Sequence, residues 1–194
     1  MKTRIDPSSL VDKGMELMYL RGYNDVSIKD LVDAAGMPKG SFYNHFKSKE
    51  DFALAVIDRY AEIWHTELRT FLADRKYSAR DRFTRFFDHM IDTYENGTHF
   101  TRGCLAGNFS QELGDVNDVF AQHVDTVFRT AESYFMHAVR DGQREGSIDP
   151  SLDAESTGQF LLNAFEGAMV RMKSARSSRP LSAFRKLVFT TIIR

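Results

Sequence analysis

Ser27-Ile28-Lys29-Asp30-Leu31-Val32-Asp33-Ala34-Ala35-Gly36-Met37-Pro38-Lys39-Gly40-Ser41-Phe42-Tyr43-Asn44-His45-Phe46-Lys47-Ser48-Lys49-Glu50 is the stretch whose reading decides the fold. Ser27 offers a side-chain oxygen to the first free amides of a helix, and Asp30, three positions on, can reach back to the cap. Ile28, Leu31, Val32 and Ala35 then form one apolar face, and Gly36 stops the helix. Pro38 opens another helix through Ser41, Phe42, Tyr43 and Phe46, and Ser48 with Asp51 repeats the cap signal for the next. Short helices joined by a tight glycine turn, with Ala34 and Ala35 small enough for a close crossing, follow the plan of a helix-turn-helix. From Met37 to Lys49 there is no acidic residue, but Lys39, Lys47 and Lys49 are present, which makes a local basic face.

Working outward from this stretch, Asp6-Pro7 marks the start of a first helix and Arg21-Gly22 its end, with Leu10, Met15, Leu17, Met18 and Leu20 at roughly helical spacing. The helix that begins at Ser48 is long and runs through Trp64 and Leu68. Another starts at Ala79, carries Phe83, Phe86, Phe87, Met90 and Tyr94, and ends near Asn96-Gly97. Register breaks over 101–108, a short helix reaches Leu113, and a long one reaches about Gly142. Two more helices, from about Leu152 to Ser174 and from Leu181 to Ile193, close the chain. No run alternates apolar and polar residues long enough for a strand, so the expected class is all-α. The expected division is a helix-turn-helix domain over 1–50 and a second helical domain over 51–194.

Composition removes several classes of function. The 194 residues are 42% hydrophobic and 27% charged, with four prolines, as in a globular chain. No apolar run approaches the ~20 residues needed to span a bilayer. The N-terminus lacks a secretory pattern, and the single cysteine forbids an internal disulfide, so the cytoplasm is the expected compartment and no membrane partner is expected. The formal net charge of -1 means that any nucleic-acid surface must come from local clustering of Lys and Arg. His45, His65, His89, His99, His123 and His137 are scattered, with no metal-binding pair, phosphate-cradling loop or nucleophile elbow. No enzyme activity, metal or cofactor is therefore expected.

The stretch from Ser27 to Glu50 resembles the TetR family of transcriptional regulators, through its Ala-Gly turn, Gly-Ser-Phe-Tyr recognition helix, Tyr-x-His-Phe ending and Ser-Lys-Glu start of the following helix. The resemblance covers roughly residues 8 to 57. It implies a repressor that binds a roughly palindromic stretch of double-stranded operator DNA and is released by a small-molecule inducer. It also implies phosphate contacts from Ser27, Tyr43, His45 and Lys49, and base-edge contacts from Lys39, Gly40, Ser41 and Asn44. Helix N-termini at Ser27 and Lys49 favour phosphate, and Lys39 and Asn44 have suitable donors for the groove. The competing reading of Lys39 and Asn44 is a solvated surface, and a helical interaction module without DNA binding would be expected to lack the Lys39, Tyr43, His45 and Lys49 constellation. Phe42 and Phe46 read as core.

One helix-turn-helix reads few base pairs, so a homodimer with recognition helices about 34 Å apart is expected. Phe160, Ala164, Phe165 and Ala168, with Phe184, Leu187 and Val188, exceed one buried stripe and are assigned to the dimer interface; the alternative is that they close the monomer's own core. An aromatic-rich middle that includes Trp64 suggests a ligand cavity between helices. Cys104 follows Arg102-Gly103 at an apparent helix start, where the dipole and the cation would favour a thiolate. The run Gly103-Cys104-Leu105-Ala106-Gly107-Asn108, followed by Glu112, looks like the corresponding stretch of TetR-type regulators that respond to electrophiles or small unsaturated acids. Cys104, Arg102, Asn108 and Trp64 are therefore the candidate sensor residues, set against a reading of Cys104 as an inert core thiol.

Overall fold

The protein, described by a computed structural model over residues 7–194 without the side chains of Pro7 and Lys39, is built from helices. In chain order these are α1 (Pro7–Arg21), α2 (Ile28–Ala34), α3 (Lys39–Phe42), α4 (Lys49–Leu72), α5 (Ala79–Asp92), a π-helical turn (Thr93–Gly97), α6 (Leu105–Leu113), α7 (Asp118–Glu145), α8 (Ala154–Ala175) and α9 (Arg179–Thr191). Among the described residues the one β feature is an isolated bridge between Ile148 and Ile193. The expected cap at Asp6 lies outside the described residues.

Two compact units divide the chain, one comprising residues 1–63 and 105–125 and the other residues 64–104 and 126–194. The unit that holds the three N-terminal helices thus also takes in the first part of α4, all of α6 and the start of α7. Its core explains the local sequence. Leu10, Met18, Leu31, Val32, Phe42, Phe52, Val56 and Ile57 are buried. Gly14 lets α1 lie against α4, because a Cβ there would stand 2.3 Å from Phe52 Cζ. A second aromatic cluster joins Tyr23, Phe109 and Phe120, with ring centroids 6.1–6.2 Å apart.

The other unit is organised around clustered phenylalanines. Phe86 and Phe87 of α5 meet Phe135 of α7 and Phe165 of α8, with centroid separations of 5.4 to 6.5 Å. Such pairs add about 0.5–1.5 kcal/mol each beyond their area burial. α8 crosses α7 at Gly158, where a Cβ would sit 2.7 Å from the backbone nitrogen of Met136. Arg82 is a charged residue buried in this largely apolar interior. It is 1% exposed, and its guanidinium donates to the Leu72 carbonyl at 2.8 Å and to Asp141 Oδ2 at 2.9 Å.

Two elements are shorter than their sequence pattern suggests. α3 ends at Phe42 rather than Phe46, because the bonds tighten to Ser41 O and Phe42 O, accepting from Asn44 N at 3.3 Å and His45 N at 3.0 Å. The ring of Phe46 is then turned onto Phe42 and Phe52, at 5.6 and 4.9 Å. α5 gives way at Thr93 to the π turn, after which His99 and Phe100 take left-handed φ values of 48° and 63°. Non-glycine residues in that region are uncommon.

Candidate functional site

The helix-turn-helix is a rigid platform with a polar outer face. Ser27 caps α2 with its Oγ accepting from Asp30 N at 3.1 Å, and Asp30 Oδ2 accepts from Ser27 N at 2.8 Å. These bonds from the Ser27 hydroxyl and amide, joined by an ion pair to Arg21, hold the Asp30 carboxyl down at about 2. Ser48 caps α4 through Asp51 N at 3.1 Å, and Asp51 in return accepts from the Lys47 amide at 2.9 Å. Between these caps, Gly36 holds φ at +65°, a conformation that glycine adopts without a Cβ penalty.

Phe42 is fully buried and anchors α3 from below. The residues around it point outward. Tyr43 is 57% exposed, Gly40, Asn44 and His45 are exposed, and Ser41 is half-buried. Lys39 opens α3, and its side chain lies outside the described residues. Ser27 is exposed beside the same turn. Lys49 is half-buried; its Nζ lies 4.1 Å above the Tyr23 ring and donates to Asn24 O at 3.5 Å. Burial lowers its ammonium pKa, opposed by Glu50 and Glu112. Burial also pushes the Tyr23 hydroxyl up to about 12, with help from the Glu50 carboxylate.

Lys49 and Tyr23 belong to a connection that sequence reasoning did not assign. Glu112, near the end of α6, accepts from Tyr23 N at 3.1 Å and Asn24 N at 2.9 Å, just past the end of α1. Gly22 makes room for it. With φ at +80°, its missing Cβ would fall 2.7 Å from Glu112 Oε1. α6 is therefore tied to the turn that carries α2 and contacts Lys49. A lone carboxylate near a helix end gives no sequence signal that it will hold the turn after another helix 89 residues away.

The candidate sensor residues are split between the units. Trp64, Arg102 and Cys104 fall in one and Asn108 in the other. Trp64 is 4% exposed and packs on Phe86 at 5.9 Å, Arg102 and Asn108 are half-buried, and Cys104 is buried. The group hydrogen-bonded to the Cys104 thiol is Glu166 of α8. Burial raises the Glu166 carboxyl to about 7, the Cys104 bond working the other way, and its Oε1 is buried without a partner. The environment of Cys104 thus includes a carboxyl group. Glu166 stands four residues after Leu162 and three before Met169, both buried, so an acid on the apolar face of α8 was its available signal.

The residues assigned to a dimer interface also divide. Phe165, Ala168 and Val188 are buried within the chain, Ala164 and Phe184 are half-buried, and Phe160 and Leu187 are 53% and 60% exposed. Among the described residues no helix is long and apolar enough to cross a membrane.

Comparison with known proteins agrees with this geometry. Residues 10–56 match the family of bacterial regulatory proteins of the tetR family, and residues 79–188, more than half of the chain, match the tetracyclin repressor-like C-terminal domain. The HTH-type transcriptional repressor DhaR of Mycobacterium sp. (strain GP1) is 34% identical over 184 residues, covering 95% of this chain and 90% of DhaR. The transcriptional regulator AcuR of Cereibacter sphaeroides is 31% identical, covering 91% of this chain and 80% of AcuR. Among solved structures, the regulatory protein TetR from Rhodobacter sphaeroides superposes with a TM-score of 0.89 at 28% identity, covering 96% of this chain and 98% of that one. The reduced form of NemR from E. coli superposes with a TM-score of 0.88 at 28% identity, covering 97% and 96%. With a buried helix-turn-helix core at one end, a helical domain after it and both halves matched, the chain belongs to the tetR family of bacterial regulatory proteins.

Proposed function

We propose that this protein is a cytoplasmic, ligand-responsive transcriptional repressor that binds a roughly palindromic operator as a homodimer and lets go when a small electrophile or unsaturated acid reaches Cys104. The observation that carries the reading is the outer face of the helix-turn-helix: exposed Gly40, Tyr43, Asn44 and His45 on a buried Phe42 anchor, flanked by Ser27 and Lys49. Ser27, Tyr43, His45 and Lys49 take phosphates, while Lys39, Gly40, Ser41 and Asn44 meet base edges. Several relatives bear the name repressor, among them DhaR and NemR. Dimerisation uses α8 and α9, whose Phe160 and Leu187 remain exposed in the single chain while Phe165, Ala168 and Val188 hold the two helices from beneath. Regulatory binding, not catalysis, is the work assigned to the chain.

The route from sensor to operator follows α6. Leu105, its first residue, directly follows Cys104, and Glu112 near its other end holds the Tyr23 and Asn24 amides. A shift of α6 on modification of Cys104 pulls on the turn before α2 and on Lys49 above Tyr23, at the start of α4. Operator-binding geometry and sensor occupancy are then linked reciprocally.

Titration of the purified protein against DNA flanking its own gene, over a range of salt, tests this reading. Specific, salt-sensitive binding that is lost on treatment with a thiol-reactive unsaturated compound, and kept by Cys104→Ser, is the expected result. Binding that ignores the reagent removes the sensor, and absence of specific binding to any DNA removes the repressor.

A further inference from the structure

The Glu166 carboxyl is buried on the apolar face of α8, one oxygen has no partner, and the thiol of Cys104 is hydrogen-bonded to it. A buried carboxyl with an unused oxygen is expensive unless it is neutral or has work to do. Packing does not call for an acid here, since Leu162, Phe165 and Met169 around it are apolar and buried. The methylenes of Lys173 run beside Gly103, whose missing Cβ would stand 3.1 Å from Lys173 Cδ, and the Tyr94 hydroxyl donates to Met169 Sδ at 2.8 Å.

We propose that Glu166 is the proton-handling partner of Cys104: its carboxylate takes the S–H proton as sulfur bonds to the β-carbon of an α,β-unsaturated carbonyl compound, and returns that proton to the α-carbon. The inference rests on the reading that Cys104 meets such compounds, and it adds the residue that makes a buried thiol reactive. The sum is addition of S–H across the carbon–carbon double bond. The S–H bond and the π bond break, the S–C and C–H bonds form, and no oxidant or reductant is consumed. A carboxylate beside the sulfur does not favour a standing thiolate, so the reactive form is a neutral thiol with a base in place. The unpartnered Oε1 adds a specificity element, because once the carboxyl has taken the proton it can donate a hydrogen bond to the compound's carbonyl oxygen before the proton passes to the α-carbon.

The rate of Cys104 alkylation by acrylamide, followed by intact mass as a function of pH, tests the proposal. Wild type is expected to gain reactivity as pH rises through about 7, where Glu166 ionises. Glu166→Gln keeps size and an acceptor oxygen but not basicity, and is expected to lose that inflection and to react on the order of a hundredfold more slowly near neutrality. Glu166→Asp, a carboxyl withdrawn by one methylene, is expected to keep an inflection at a reduced rate, and it decides the matter if Glu166→Gln fails to fold. Equal rates and pH profiles in wild type and the folded variants overturn the proposal. Operator binding by the alkylated protein separates the two ideas. Glu166-dependent alkylation that leaves the operator bound removes the sensor reading and keeps the proton transfer; Glu166-independent alkylation that releases the operator does the reverse.

Discussion

Glu112→Gln isolates the tie between α6 and the helix-turn-helix. The carboxylate accepts two backbone amides, from Tyr23 at 3.1 Å and Asn24 at 2.9 Å. A carboxamide of the same size offers one oxygen and turns an NH2 towards the other amide, so at least one bond is lost and the survivor is no longer charge-assisted. Hydrogen bonds to charged groups contribute about 1.5–3 kcal/mol each, and water replaces the bond at the exposed Asn24 amide, so the loss is about 2 kcal/mol. Allosteric coupling energies are typically about 1–3 kcal/mol, a factor of about 5–150 in operator affinity. The tie is of the same size as the coupling it carries. The release factor, the ratio of operator Kd with and without the inducing electrophile, is therefore expected to collapse towards one in Glu112→Gln, while operator affinity without inducer changes little. Fluorescence anisotropy of a labelled operator at fixed salt reads both constants, and a thermal melt checks folding. If Glu112→Gln loses stability but keeps the whole release factor, α6 does not carry the signal.

Ser27→Ala removes the cap of α2 and is expected to destabilise the fold by about 1 kcal/mol in chemical denaturation; an unchanged midpoint would mean that the capping box does not matter. The Asp30 carboxyl, held at about 2 against an ordinary 3.8, stabilises the fold above pH 3.8, and that stability should drain away as pH falls between these values and not in Asp30→Asn. Glu166 has the opposite sign. Its folded pKa is raised to about 7, so stability is full below the ordinary 4.5 and falls as pH rises towards 7, and Glu166→Gln should overtake wild type in thermal melts above pH 7 but not at pH 4. Asp141→Asn removes the charge of the 2.9 Å partner of the buried Arg82, which keeps Glu145 at 3.7 Å, and should cost about 1.5–3 kcal/mol, while Arg82→Met should cost less, because Asp141 still meets Arg144; equal losses would contradict this account. Gly158→Ala should lose about 1–3 kcal/mol in the same assay, since α7 backbone stands where the methyl group would go.

Local chemistry was legible in the sequence because it is written in neighbours. The caps at Ser27 and Ser48, the stop at Gly36, the long helix from Lys49 and the outward polar face around Tyr43 all follow from spacings of three or four residues. Periodicity also placed most of the helices, although α3 ends at Phe42, where the backbone bonds tighten and the Phe46 ring turns onto Phe52. The candidate functional groups that join distant parts of the chain were not legible. Glu112 meets amides 88 and 89 residues away, Glu166 meets Cys104 across 62 positions, and Arg82 of α5 finds Asp141 of α7 across 59. In a sequence each of these is one more charged residue. Only the tertiary structure decides which charges leave water, because burial and partnership depend on which helix faces meet, and no local pattern records that. The sequence by itself determined a helical chain with a helix-turn-helix near one end and a lone thiol before α6; the fold decided that this thiol faces a carboxyl and that α6 is fastened to the turn that carries α2.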